Sequence, residues 1–248
     1  MILPKRLPEP PNIRQDRCAL FLDIDGTLLE HADHPDKVVV GEALRALLLR
    51  ADERLDGALA FVTGRSIAQA DKLFHPLKLR AAGLYGIEHR LSPDQPIEQA
   101  DEPADIAALA DEIEAELENV YVERKGAVLA VHTRAAPHLL ARAEEIVARA
   151  LETLPEGYRS LVGNAGLELM PLDAVKGGAI RRFMAQAPFH RRMPVFLGDD
   201  TSDETGFEAV NEMGGVSVRV KEREETSASF MLADVKTVIG WLQHQFPA

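Results

Sequence analysis

Three short apolar runs, each broken off by a cluster of polar residues, constrain this chain more than any other feature of its sequence. Cys18–Leu22 stops at Asp23-Ile24-Asp25-Gly26-Thr27. Ala58–Val62 stops at Thr63-Gly64-Arg65, and Val195-Phe196-Leu197 stops at Gly198-Asp199-Asp200-Thr201-Ser202-Asp203. Each run reads as a buried strand. Between the runs the apolar period changes to that of a helix. Leu44, Leu47, Leu48 and Ala51 share one helical face, and a helix opened by Lys176 carries Ile180, Phe183, Met184 and Ala187 in one stripe. An alternating strand at Val216, Val218 and Val220 precedes a last helix through Val235, Val238, Ile239, Leu242 and Phe246. Strands alternating with helices predict an α/β fold, a parallel sheet wound with helices on both faces.

The middle of the chain follows another pattern. A helix with Ile106, Leu109, Ile113 and Leu117 leads into two strands, Val120–Glu123 and Ala127–Thr133, joined by a tight Lys125-Gly126 turn. A longer helix carries Leu140, Ala143, Val147, Ala150, Leu151 and Leu154, and short strands follow near Ser160–Val162 and Leu167–Met170. Hairpins flanking a helix predict a small α+β module over residues 102–173, inserted between core segments 1–101 and 174–248. A chain of 248 residues is long enough for both.

In an open parallel sheet the ligand crevice lies outside the carboxyl ends of the strands, so three polar clusters at three such ends predict one shared site. Asp23, Asp199, Asp200 and Asp203 would bring up to four carboxylates there. A like-charged pair 4 Å apart costs about 4 kcal/mol even at an effective dielectric of 20, so the cluster calls for a cation. An all-oxygen donor set suits a hard divalent ion, and Mg²⁺ suits one that also holds a phosphate. Lys176, at the start of its helix, adds positive charge where the helix N-terminus already favours an anion. Each piece alone has a bland reading: a loop Asp-x-Asp, a Thr-Gly-Arg turn, a capping Gly-Asp-Asp, a solvated lysine. All of them in this order favour a functional site.

Charge and cysteine usage exclude other classes. A net charge of −12 repels nucleic acid and anionic lipid. Cys18 is the single cysteine, which rules out an intrachain disulfide and a thiolate metal cluster. Residues Met1–Arg17 are rich in Pro and charge with no apolar signal-like run, and no later segment has the length of a membrane span. The expectation is a cytoplasmic protein with a small-molecule partner.

Asp23-Ile24-Asp25-Gly26-Thr27, Thr63, Lys176 and Gly198-Asp199-Asp200-x-x-Asp203-Glu204 together resemble the four motifs of the haloacid dehalogenase-like phosphatases. That resemblance implies a Rossmann-like parallel-sheet core with an inserted α+β cap domain that selects the substrate. A narrower likeness is carried by Glu123-Arg124-Lys125, a strand, then His132-Thr133-Arg134, with Glu168, Pro171, Lys176-Gly177 and Gly83-Leu84-Tyr85-Gly86-Ile87-Glu88. This set is similar to the family of trehalose-6-phosphate phosphatases. One departure is Gly166, where some relatives carry an asparagine.

The resemblance implies the roles. Asp23 is the nucleophile that becomes a phosphoaspartate, and Asp25 the general acid and base, with a pKa that neighbouring carboxylates and partial burial would raise. Gly26, Thr63, Gly64 and Lys176 bind the phosphate. Asp23, the Asp25 backbone carbonyl and Asp199 hold Mg²⁺, while Asp200 and Asp203 orient Lys176 and the metal's water ligands. Glu123, Lys125, Arg134 and Glu168 would contact sugar hydroxyls, against the alternative of a charged, protected hairpin edge. His132 is read as a packed or hydrogen-bonded histidine, and His89 and the other histidines as surface residues. Competing readings are a phosphatase for sucrose phosphate or mannosyl phosphoglycerate, a phosphomutase, and a binding or regulatory protein without catalysis.

Overall fold

The computed structural model describes residues 7–31, 39–99, 103–154, 157–163, 166–223 and 225–248. The chain divides into two compact units: Met1–Ile97 together with Val175–Ala248, and Glu98–Ala174. The boundary expected at 101/102 lies outside the described residues.

The first unit is built on a seven-stranded sheet. Along the chain come β1 (Cys18–Leu22), α1 (Glu42–Arg54), β2 (Leu59–Val62), α2 (Ile67–Phe74), β3 (Arg80–Gly83) and β4 (Glu88–Arg90). The elements of the second unit follow: α3 (Ala104–Glu116), β5 (Tyr121–Lys125), β6 (Val128–His132), α4 (Leu140–Leu151), β7 (Tyr158–Gly163) and β8 (Gly166–Pro171). The first unit then resumes with α5 (Lys176–Met184), β9 (Met193–Gly198), α6 (Glu204–Glu212), β10 (Val216–Val220), β11 (Phe230–Leu232) and α7 (Val235–Gln245). The strand order is β11-β10-β9-β1-β2-β3-β4, and only the β3–β4 pair is antiparallel. β1 is central and every residue of it is buried, which is why its sequence is continuously apolar.

Helices form where the apolar period runs and stop where backbone chemistry forbids them. α1 buries Leu47, Leu48 and Ala51, with Leu44 half-buried. α5 buries Ile180 and Phe183 but ends at Met184, leaving Ala187 exposed and outside the expected stripe. Pro188 follows Ala187, and a residue before proline is driven out of the helical region. α2 starts at a capping box in which Ser66 and Gln69 bond each other's backbone.

β10 departs from simple alternation. Ser217 and Arg219 are buried along with Val216, Val218 and Val220, and each polar side chain has a partner: Ser217 Oγ donates to Asn211 Oδ1 at 2.6 Å and Arg219 to Glu204 Oε1 at 3.0 Å. His89 is also buried, on β4, with its ring edge toward Phe183 at 6.0 Å, so it is not a surface residue. Cys18 is fully buried, and burial pushes its thiol up from its ordinary value. None of the described helices is long and apolar enough to cross a membrane.

The second unit is an antiparallel sheet in the order β5-β6-β8-β7, with α3 and α4. Val122, Leu129, Val131, Leu167 and Leu169 of the sheet pack with Ile106 and Ile113 of α3 and Ile146 and Val147 of α4. Lys125 pairs with Val128, so the hairpin turn is Gly126-Ala127, one residue later than expected. Gly126 has φ +63, a conformation that costs glycine little.

Candidate active site

β1 pairs with β2 on one side and β9 on the other, and the register places Leu22 opposite both Phe61 and Leu197. The backbone N–H of Asp23 donates to the Leu197 carbonyl at 3.0 Å. The polar segments after these three adjacent parallel strands therefore leave the sheet side by side.

Lys176, the first residue of α5, reaches into this end of the sheet and is 2% exposed. Its Nζ donates to Asp23 Oδ1 at 2.8 Å and to Asp203 Oδ1 at 2.6 Å. Burial pulls the Lys176 ammonium down, but Asp203 and Asp23 outweigh it and hold the group above its ordinary value. Burial also pushes the Asp23 carboxyl well up; Lys176 opposes that shift and Asp203 adds to it. The placement of Lys176 depends on a close helix crossing. A Cβ on Gly177 would stand 2.3 Å from the Thr205 carbonyl oxygen, so only glycine lets α5 approach the start of α6 this closely.

Asp23, Asp199 and Asp203 each offer a carboxylate oxygen, all within 4.8 Å of one another. Asp200, expected among them, is exposed. Its backbone N–H donates to Asp203 Oδ2 at 2.8 Å, so both Asp203 oxygens are engaged. Asp203, and not Asp200, is the residue bonded to Lys176.

Asp199 Oδ2 is bonded to His31 Nε2 at 3.0 Å, whereas Oδ1 is buried without a hydrogen-bond partner. Burial raises the Asp199 carboxyl, with the His31 hydrogen bond opposing. Gly26, at φ +77, makes room for this carboxylate: a Cβ there would lie 2.0 Å from Asp199 Oδ2. An orphaned carboxylate oxygen beside two neighbouring carboxylates forms a donor set that fits a hard divalent cation, with one ammonium offsetting only part of the negative charge. Such a cation would favour the ionised form of every acid around it.

Asp25 has a partner the sequence reading did not assign. Arg65 Nε donates to its Oδ2 and Arg65 Nη2 to its Oδ1, both at 2.6 Å. The group that grips Asp25 is thus a guanidinium, bonded to both carboxylate oxygens. Thr63 is buried, and its Oγ1 accepts from the Arg65 backbone N–H at 3.2 Å. A Cβ on Gly64 would be 2.8 Å from the Tyr85 ring, so the loop passes close under that ring.

Two further residues support the site. His31 bonds Asp199 although its own side chain is 60% exposed. Arg219 on β10 donates to the Asp200 carbonyl and to Glu204 Oε1, each at 3.0 Å, and Glu204 Oε2 accepts from the Ser227 backbone N–H at 2.6 Å. The loop after β9 is thereby fastened to β10 and to the segment beyond it. The only sequence signal for Arg219 was a charged residue between two apolar ones in a strand.

In the second unit, Glu123, Ala130 and Glu168 lie opposite one another across β5, β6 and β8. Lys125 Nζ sits 3.2 Å from Glu123 Oε2 and 3.5 Å from Glu168 Oε1. His132, expected to be packed or hydrogen-bonded, is bonded through Nε2 to Glu123 Oε2 at 3.0 Å and stacks on the exposed Tyr121 ring at 5.4 Å. Arg134 lies in the turn after β6, beyond this row, and is exposed.

The His132 hydrogen bond, helped by Lys125 and opposed by burial, holds the Glu123 carboxyl down at about 2, against an ordinary 4.5. A depressed acid stabilises the fold above its unfolded value, and that stability is lost as pH falls through the folded one. Glu123→Gln is therefore expected to cost about 1–2 kcal/mol at neutral pH, after allowance for partial exposure. The difference from the parent should shrink between about pH 4.5 and pH 2 in thermal melts. A difference that stays constant over that range would rule out the ionic contribution.

Comparison with known proteins agrees with this geometry. The profile of the trehalose-phosphatase family matches residues 21–236. A protein of Sinorhizobium fredii named "Probable trehalose-phosphate phosphatase" is 41% identical over 208 residues, covering 83% of this chain and 78% of that protein. The trehalose-6-phosphate phosphatase of Escherichia coli K12 is 37% identical over 240 residues, covering 96% of this chain and 89% of that protein. A crystal structure of a trehalose-6-phosphate phosphatase related protein superposes with a TM-score of 0.69 at 25% identity, covering 91% of this chain and 95% of that one. The α/β core is thus the haloacid dehalogenase-like one that the four motifs implied. The chain belongs to the trehalose-phosphatase family, a family of phosphoric monoester hydrolases.

Proposed function

We propose that this chain hydrolyses trehalose 6-phosphate to trehalose and inorganic phosphate, with Mg²⁺ bound, through a phosphoaspartate on Asp23. The observation that carries this reading is the buried Asp23–Lys176–Asp203 cluster beside Asp199, whose Oδ1 has no hydrogen-bond partner. The names of the relatives support the choice of sugar phosphate.

Asp23, Asp199 and the Asp25 backbone carbonyl would hold the metal. When bound, Mg²⁺ neutralises charge on the carboxylates and on the phosphate. An Asp23 carboxylate oxygen attacks phosphorus while the bond to the sugar oxygen breaks. Asp25 gives that oxygen its proton, so the sugar leaves as a neutral alcohol. Lys176 and Thr63 hold phosphate oxygens, and the two loops that carry Gly26 and Gly64, after β1 and β2, let the backbone approach them closely. In the second half, water attacks the phosphoaspartate, Asp25 takes a proton from it, and Asp23 returns as a carboxylate with phosphate released. Asp203 keeps Lys176 in place throughout, and Asp200 sets the backbone of the same turn.

The unit Glu98–Ala174 acts as the cap that selects the substrate, with Glu123, Lys125, Glu168 and Arg134 contacting sugar hydroxyls. The reaction takes place in the cytoplasm.

Phosphate release from trehalose 6-phosphate, sucrose 6-phosphate, glucose 6-phosphate and mannose 6-phosphate tests the reading, with Mg²⁺ and after chelation. Trehalose 6-phosphate is expected to be preferred, and chelation to remove at least nine-tenths of the release. Equal rates on all four sugars would overturn the substrate. Release that survives chelation would overturn the metal, and transfer of phosphate back to sugar would put the phosphomutase in its place.

A further inference from the structure

Asp25 is held by a device that the four motifs do not describe. Both of its carboxylate oxygens accept from the Arg65 guanidinium, at 2.6 Å each. The side chains are 29% and 14% exposed, so the pair is mostly shielded from water. A two-pronged bond of this kind fixes the plane of the carboxylate as well as its position.

Arg65 is itself anchored from behind. The Leu84 N–H donates to its carbonyl oxygen at 3.0 Å, and the Tyr85 N–H donates to the Thr63 carbonyl at 3.0 Å. Leu84 and Tyr85 both have positive φ, +48 and +59, the left-handed region that side-chain-bearing residues avoid. Two adjacent strained residues, whose amides reach the two ends of Thr63-Gly64-Arg65 and whose aromatic ring lies over Gly64, make a clamp on that segment. Glu88 braces the clamp: its Oε2 accepts from the Ile67 N–H at 2.6 Å and lies against Gly83.

We propose that Arg65 is a positioning residue for proton transfer: set by the strained Leu84-Tyr85 clamp, it aims the Asp25 carboxyl at the oxygen that enters and leaves with each half of the reaction. It neither accepts the phosphoryl group nor exchanges a proton. The inference rests on the reading of Asp25 as the proton-transfer group. It adds a requirement for the fork of an arginine, which a lysine ammonium does not reproduce.

The proton matters only when the leaving group needs one. A sugar alkoxide departs poorly without it, whereas p-nitrophenolate departs unaided. First-turnover leaving-group release, measured by rapid quench with the full chain in excess over substrate and Mg²⁺ present, separates positioning from general damage. Arg65→Gln and Arg65→Lys are each expected to slow sugar release from trehalose 6-phosphate about 100-fold. Release of p-nitrophenolate from p-nitrophenyl phosphate should fall several-fold at most. Acid-stable phosphoprotein should then accumulate from p-nitrophenyl phosphate, because its hydrolysis also needs Asp25.

Equal losses on both substrates, or full sugar release by Arg65→Lys, would overturn the inference. Asp25→Asn serves as the reference. If it shows no dependence on the leaving group, the reading of Asp25 fails. If it shows that dependence and the Arg65 variants do not, the positioning role alone fails. Should Arg65→Gln not fold, Arg65→Lys, which keeps the charge, carries the test.

Discussion

Asp23→Asn is expected to lower phosphate release at least about a thousandfold and to leave the thermal midpoint of the core unchanged or higher. The loss follows from chemistry: an amide oxygen is a poor nucleophile, and only one other described carboxylate, that of Asp203, is hydrogen-bonded to Lys176. Asp203 is the other acid bonded to Lys176, and both of its oxygens are already committed.

The stability side follows from the direction of the Asp23 shift. Burial holds this carboxyl above its ordinary value of 3.8, so ionising it opposes folding at every pH above that value. The asparagine removes that cost at pH 7, and the measurement is a melt with chelator present beside an assay with Mg²⁺. Residual activity above about one part in a thousand would remove Asp23 as the nucleophile. A midpoint lowered by several degrees would show instead that its charge holds the core together.

Lys176→Met should have the largest effect on the fold. The ammonium is the bonded counter-ion for two buried carboxylates, and deleting one side of a buried pair costs about 3–5 kcal/mol because the remaining charges stay desolvated. Methionine fills similar volume, so the loss measures charge more than packing. Urea unfolding followed through the single tryptophan, Trp241 on α7, reports on the unit that holds the pair. Adding Asp203→Asn to Lys176→Met should restore part of the stability, since one of the stranded charges is gone. An unchanged urea midpoint in Lys176→Met would mean that the ion pair contributes nothing net. Strictly additive losses in the double variant would mean that the two residues are not coupled.

How much of this was legible in the sequence depended on whether a residue's position announced its surroundings. The strands β1, β2 and β9 were visible because fully buried strands are continuously apolar, and their polar ends marked the site. β3 was not visible: Arg80-Ala81-Ala82-Gly83 has small residues that fit under a neighbour and carry no hydrophobic signature. β4 was hidden for the opposite reason, since Glu88, His89 and Arg90 look like surface residues and are buried through specific partners. Glu88 caps the start of α2, and Arg90 forks onto Asp71 at 2.5 and 2.7 Å. Buried polar groups are chosen by their partners, and partners distant in sequence leave no periodic trace.

The same limit governs the candidate site. Asp23, Thr63, Lys176 and Asp199 followed from spacing and from their places at element ends. The bond between Arg65 and Asp25 did not, because nothing in a Thr-Gly-Arg triplet says which acid, forty residues away, will meet the guanidinium. Asp200 and Asp203 sit three apart in one turn, and their difference in exposure comes from the direction in which that turn winds, which composition cannot supply.

The pairing of β1 with β9 fixes an order of events during synthesis. Cys18 lies opposite Met193 and Leu22 opposite Leu197, so the strand that leads into Asp23 has only one of its two neighbours until β9 has been made. The antiparallel unit in between has its own apolar cluster and pairs strands close in sequence, and can condense while β1 is still waiting. Assembly of the acidic cluster therefore waits for β9: a nascent chain stopped short of that strand carries Asp23 and Lys176 without Asp203, the second acid bonded to the lysine, and without Asp199.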